Sequence, residues 1–338
     1  MHFRTQAATA AAILSLLFTA FMAPASAQVP QTAPTASAPA NRTPAPGEPA
    51  GSGPYMAVME ADPSLPTHTV YRPADLNAIG NQKLPIVLWA NGACANTGNR
   101  FQFFLTDIAS YGYLVIAIGP IVPGGEQLGA APAAPPPGAP AAAPAAPPQI
   151  PQGHAVPTHT SQLFDALNWA LAEAARPESK FHGKLATDRI AVMGQSCGGV
   201  QAIEAAADPR VSTVVIWDSG LFPTPSGMGG GKTMTKDDLK LIHTPIAYIG
   251  GDKQDVSFPN ANDDFDKINN VPIFRGWERG IPHIGTYRQP YGGEFSGVAI
   301  AWLNWQLKGD QHAALMFKGQ DCGLCVNPKW VVAKKKID

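Results

Sequence analysis

Gly194-Gln195-Ser196-Cys197-Gly198 is the stretch of this chain best suited to nucleophilic chemistry. A strand-like run, Arg189 to Met193, enters it and a helix-favouring run, Val200 to Ala207, leaves it, the context that holds a serine hydroxyl out above a sheet edge. Both glycines have a physical task, because side chains in so sharp a turn would collide with the neighbouring strand and helix. A serine is a poor nucleophile until a base takes its proton, so Ser196 requires a histidine and a carboxylate to orient it. Three histidines follow it: His243, His283 and His312. His243 closes a helical stretch and falls at the wrong end of a sheet, whereas His312 lies in a polar stretch after the final helix. His283 follows the last expected strand, within the Gly- and Pro-containing loop Arg279 to Gly285, and is the expected general base. The acid is expected from the loop Gly251-Asp252-Lys253-Gln254-Asp255, with Asp255 deeper in the turn and Asp252 as the alternative that caps it.

Acyl transfer also needs two backbone N–H groups aimed at a developing oxyanion. Cys197, directly after the nucleophile, is one; Ala93, in Asn91-Gly92-Ala93-Cys94, is the other, with Cys94 as the neighbouring option. If these loops converge, Cys94 and Cys197 come within the roughly 4.4–6.8 Å between Cα atoms that a disulfide needs; two free buried thiols are the alternative. Cys322 and Cys325 read as a local disulfide rather than half of a zinc site, which needs about four ligands. No metal or cofactor is expected. Trp217, ending a strand, is read either as lining a substrate groove or as core. Gly227 to Thr233 imitates a phosphate loop but fails on spacing and context, and reads as a mobile loop.

These residues require elements to hold them. Strands are expected at Tyr55 to Glu60, Thr67 to Arg72, Leu84 to Ala90, Tyr113 to Ile118, Arg189 to Met193, Val211 to Trp217, Ile246 to Ile249 and Val271 to Arg275. Helices are expected at Arg100 to Ser110, Thr160 to Arg176, Val200 to Ala207, Lys236 to Ile242, Asn262 to Ile268 and Phe295 to Leu307. Such alternation implies an α/β fold, with a mostly parallel sheet covered by helices on both faces. Reactive loops then gather beyond the carboxyl ends of the strands.

The chain opens with a short basic segment, an apolar run from Ala10 to Ala23 and Ala25-Ser26-Ala27, which reads as a signal peptide over 1–27 and a secreted or periplasmic protein. Residues 28–54 are rich in Pro and Ala and are expected to form a flexible tether. Residues 55–338 form one domain, interrupted by a Pro/Ala-rich loop insertion at 129–151. With 24 Lys+Arg against 25 Asp+Glu and 14% charged residues, nothing points to nucleic acid as a partner. No membrane span is expected, and the chain is read as a monomer.

The run Asn91-Gly92-Ala93, then Gly194-Gln195-Ser196-Cys197-Gly198, then Gly251 to Asp255, then His283, resembles the α/β-hydrolase superfamily over nearly all of Tyr55 to Gly319. Thr69-Val70-Tyr71-Arg72-Pro73 ahead of Leu84-Pro85-Ile86-Val87, with no obvious cap domain, looks closest to the dienelactone hydrolase, chlorophyllase and polyester-hydrolase branch. The resemblance implies serine esterase chemistry through an acyl-enzyme, with Ser196, Asp255 and His283 as the triad. Several members of that branch carry an aromatic residue where Ala93 stands and an apolar residue where Cys197 stands, so substrate class does not carry over. Low charge and nearby aromatic residues fit a neutral ester, aromatic or polymeric. A serine peptidase on the same fold and a catalytically silent binding protein are the competing readings.

Overall fold

A computed structural model describes residues 1–2, 43–125 and 157–338. The expected leader beyond its first two residues, the first part of the tether and the insertion at 129–151 lie outside these residues.

The described residues build one nine-stranded sheet in the order β1-β2-β4-β3-β5-β6-β7-β8-β9, numbered along the chain. Two strands, β1 (Ala57–Ala61) and β2 (His68–Pro73), form an antiparallel edge. The run β4 (Leu114–Ile118), β3 (Leu84–Ala90), β5 (Leu185–Gln195), β6 (Thr213–Trp217), β7 (Ile246–Gly251) and β8 (Ile273–Glu278) is parallel. A final strand, β9 (Trp330–Lys335), runs antiparallel along β8.

Central strands with both faces covered must be apolar throughout rather than alternating, and β3 and β4 are buried at every residue. Their side chains divide by parity. Ile86, Leu88, Leu114 and Ile116 enter one core, whereas Val87, Trp89, Val115 and Ala117 enter the other. The first core is covered by α2 (Ser161–Ala175), α3 (Cys197–Ala205) and α4 (Phe258–Lys267), through residues such as Leu163, Leu167, Val200, Ile203 and Ala261. The second is covered by α1 (Gln102–Ser110) and α5 (Gly293–Lys308), through Phe104, Ile108, Phe295, Val298 and Trp302. Because α1 leaves β3 over one face and α3 leaves β5 over the other, the loops after these adjacent strands part and open a crevice at their carboxyl ends. That crevice positions the site.

Three differences from the expected elements have physical causes. Residues 43–54, expected as tether, pack onto the domain. Ala50 pairs with Ala57, the Ser52 amide donates to Asp107 Oδ1 at 2.7 Å, and the Gly53 amide donates to Ser110 Oγ at 2.9 Å. Backbone hydrogen bonds do here what the missing apolar side chains cannot, and they need Gly53, since a Cβ there would meet the Ser110 backbone. Strand β9 was not anticipated, because its partly exposed edge position and closing lysines blur the apolar signal. The stretch at Lys236–Leu241 is a single tight 3₁₀ segment, opened by a Thr235/Asp238 capping box, rather than an α-helix. Among the described residues, no helix is long and apolar enough to cross a membrane.

Candidate active site

Ser196 sits between the end of β5 and the start of α3 with φ 54° and ψ −119°, a backbone conformation L-residues rarely hold. Tertiary contacts impose it. The Ser196 amide donates to the Trp217 carbonyl at 3.0 Å, and its own carbonyl accepts from Ser219 Oγ at 2.6 Å and the Gly199 amide at 2.8 Å. A Cβ on Gly194 would run into the Gly198 backbone, and one on Gly198 into the Ala90 carbonyl of β3. The glycines are thus required by close approach of chain to chain.

His283 lies in the loop after β8, which is therefore not the last strand of the chain. Its Nε2 is 2.9 Å from Ser196 Oγ and its Nδ1 is 2.7 Å from Asp255 Oδ1. The His283 carbonyl accepts from Gln195 Nε2 at 3.0 Å, so the residue before Ser196 also secures the histidine loop. Asp255 is 3% exposed. Burial pushes its carboxyl up, but hydrogen bonds from His283, Asp218 and the Ser257 amide outweigh this and hold it down at about 2. Asp252 does not approach the histidine. It caps its own turn, accepting from the Gly280 amide at 2.7 Å and the Gln254 amide at 3.0 Å.

Ala93 and Cys94 both adopt left-handed backbone, at φ 57° and 48°. Asn91 shapes this loop, with Nδ2 donating to the carbonyls of Ala95, Thr97 and Ile118 and Oδ1 accepting from the Trp89 indole. Cys197 is the first residue of α3, where an amide has no intrahelical acceptor. Cys94 and Cys197 lie at disulfide distance, with Cα atoms 5.3 Å apart, as do Cys322 and Cys325 at 4.8 Å. The Met228 carbonyl oxygen stands 3.2 and 3.1 Å from the sulfurs of Cys94 and Cys197. The Gly-rich loop expected to be mobile is accordingly anchored: Gly229 also accepts from Gln201 of α3 at 2.9 Å.

The cleft over Ser196 is lined by Ala93, Arg100, Phe101, Gln195, His283, Ile284, Tyr287 and Arg288. Trp217 is not among them. It is fully buried between Phe104, Tyr287 and Phe295, so a groove-lining role is replaced by aromatic packing. Burial, together with the charge of Arg288, lowers the Arg100 guanidinium to about 10. Neither arginine was singled out from the sequence, because each lies in a loop whose neighbours become visible only in the fold. Among the described residues, no group of three or more His, Cys, Asp or Glu is placed to hold a metal ion.

No protein-family model matches this chain, and no curated protein is significantly similar to it.

Asp218, 1% exposed at the end of β6, also escaped sequence reading. Its signal was present, because Trp217-Asp218-Ser219-Gly220 places a carboxylate directly beyond a central strand, as Gly251 to Asp255 does beyond the next.

Proposed function

We propose that this chain is a serine hydrolase of the α/β-hydrolase fold, without a large cap domain, that cleaves carboxylic esters. The observation that carries this reading is the continuous relay Asp255–His283–Ser196, with hydrogen bonds of 2.7 and 2.9 Å meeting at one imidazole. In such a relay, His283 Nε2 takes the proton as Ser196 Oγ attacks the ester carbonyl, and Asp255 holds the tautomer and stabilises the imidazolium. The amides of Cys197 and Ala93 receive the negative oxygen, aided by the N-terminal end of α3. His283 then returns the proton to the departing alcohol, and water, activated by the same imidazole, releases the acid from Ser196.

The lining modifies the substrate reading. Burial and the like charge of Arg288 both disfavour the ionised Arg100 guanidinium at the cleft, and an ester that brings an anion to Arg100 offsets them. We therefore favour an ester with an apolar body, packed against Phe101 and the 42% exposed Ile284, and a carboxylate facing Arg100, over the neutral ester expected from composition. The paired cysteines fit an oxidising compartment, secreted or periplasmic.

Turnover of p-nitrophenyl acetate and labelling by a fluorophosphonate test the reading. Ser196→Ala is expected to lower kcat by at least about 10³-fold and to abolish labelling. Activity that survives the substitution would reject Ser196 as the nucleophile.

A further inference from the structure

The carboxyl groups of Asp218 and Asp255, 1% and 3% exposed, lie close enough in the interior of the protein for a hydrogen bond to run between them. Such a bond requires one shared proton, because two ionised carboxylates offer no donor. The other partners decide where it resides. Asp255 Oδ1 already accepts from the Ser257 amide at 2.7 Å, from Ser257 Oγ at 2.8 Å and from His283 Nδ1. Among the described residues, Asp218 accepts from the Gly251 amide, at 2.8 Å to Oδ1, and from the Tyr287 hydroxyl on Oδ2. The poorer set of donors marks Asp218 as the group that keeps the proton.

Charge balance gives the same answer. The charged and titratable groups facing Asp218 are Asp255 from the β7–α4 loop, Tyr287 from the loop after β8, and Arg275 on β8, with His283 on the far side of Asp255. Arg275 is 2% exposed and is the buried cation that attracts both carboxyls. One guanidinium neutralises one carboxylate; a second ionised carboxyl here would be an uncompensated buried charge. Burial, followed by the nearby Asp255 charge, pushes the Asp218 carboxyl well above its ordinary range.

The site is also shaped around this group. Asp218 holds a left-handed φ of 41°, its amide donates to Ile249 at 2.8 Å, and a Cβ on Gly250 would press on its Oδ1. A non-glycine residue in that conformation persists only where surrounding structure over-determines it.

We propose that the acid of the Ser196 site is a carboxyl pair, in which Asp218 is a positioning residue: a neutral carboxylic acid that donates to the carboxylate of Asp255 and so fixes the group that orients His283. Asp218 does not touch substrate and keeps its proton throughout turnover. Its effect is to restrain the Asp255 carboxylate from rotating away from the imidazole while a positive charge forms there. The proposal rests on the ester-hydrolase reading only for its catalytic consequence; the protonation of Asp218 stands on the buried geometry alone.

Two variants and two readouts test it. In Asp218→Leu the donor is lost at similar volume, and kcat is expected to fall by about 10- to 100-fold, the worth of one hydrogen bond to a charged group, with KM little altered. Asp218→Asn restores a neutral donor: its carbonyl can take the Gly251 amide while its NH₂ donates to Asp255 and to the Tyr287 oxygen. It is expected to recover kcat to within about 3-fold, which a merely space-filling role would not distinguish from Leu. Its acid limb of kcat/KM is expected to coincide with the wild type. A limb displaced to lower pH in Asp218→Asn would show that a negative charge had been removed beside the imidazole, and would overturn the proposal. So would full activity in Asp218→Leu.

Infrared difference spectra of wild type minus Asp218→Asn, at slightly alkaline pH, are expected to show the C=O stretch of a protonated carboxyl. Its absence overturns the proposal even if the Leu variant does not fold. Failure of the ester-hydrolase reading would appear separately, as turnover that survives Ser196→Ala, and would leave the infrared result intact.

Discussion

Removing the link between Cys94 and Cys197 separates two consequences that the fold predicts together. The cysteines are 103 positions apart, and closing a loop of that length restricts the unfolded chain by about 4.7 kcal/mol at 25 °C in the chain-entropy treatment. With a urea slope of about 3 kcal/mol/M or more, Cys94→Ala/Cys197→Ala is expected to lower the unfolding midpoint by up to about 1.5 M. The second consequence is local. Ala93 and Cys94 hold left-handed backbone, at φ 57° and 48°, and a tether to the first residue of α3 opposes relaxation of that turn. If the Ala93 amide drifts from the oxyanion position proposed for it, kcat is expected to fall towards the limit of about 10²- to 10³-fold set by losing one such donor. KM for a small ester should change little, because the donor acts mainly on the transition state. The assay is steady-state hydrolysis of p-nitrophenyl acetate across a dithiothreitol titration, beside urea unfolding monitored by tryptophan fluorescence. A Cys322→Ala/Cys325→Ala control removes a link spanning only 3 positions. An unaltered urea midpoint together with unaltered kcat after full reduction would refute the reasoning.

Other outcomes follow from the same geometry. Gly198→Ala drives a Cβ into the Ala90 carbonyl and is expected to cost about 3 kcal/mol, measured by urea unfolding, with loss of fluorophosphonate labelling. Arg100→Gln is expected to raise KM about 10-fold for an ester bearing a carboxylate and to leave that for its neutral methyl ester nearly constant; equal effects on both would remove the anion reading. Unfolded Asp255 takes up a proton near 3.8 and the folded residue only near about 2, so its contribution to stability is complete above the first value and lost as pH falls through the second. Acid unfolding of Asp255→Asn should therefore be less steep across that interval than that of the wild type.

Much of the scaffold was legible because its signals are local. Leu84 to Ala90 and Leu114 to Ile118 are continuous apolar runs that only a strand buried on both faces can use, and Leu163, Leu167 and Ala170 recur at helical spacing. What escaped were elements whose stability comes from distant partners. Residues 43–54 carry almost no apolar side chains, and they are held by backbone bonds to α1. Strand β9 is ordered by pairing with β8, from Ile273 with Lys335 to Glu278 with Trp330. Trp217 illustrates the limit at the site itself: a tryptophan at a strand's carboxyl end suits a groove or a core, and only the rings of Phe104, Tyr287 and Phe295 around it decide between them.

By itself the sequence determined the alternation of strands and helices, the glycine-bounded turn at Ser196 and the three histidines and two aspartates from which a relay could be drawn. Each of these depends on residues within a few positions of one another, where period, turn chemistry and steric need are set by the local chain. The tertiary structure alone decided that His283 meets Asp255 while Asp252 caps a turn, that Arg100 and Arg288 face one cleft and that Asp218 reaches Asp255 from the neighbouring strand. Those relations join groups separated by tens to hundreds of positions, and they exist because a parallel sheet gathers the carboxyl ends of its strands at one edge.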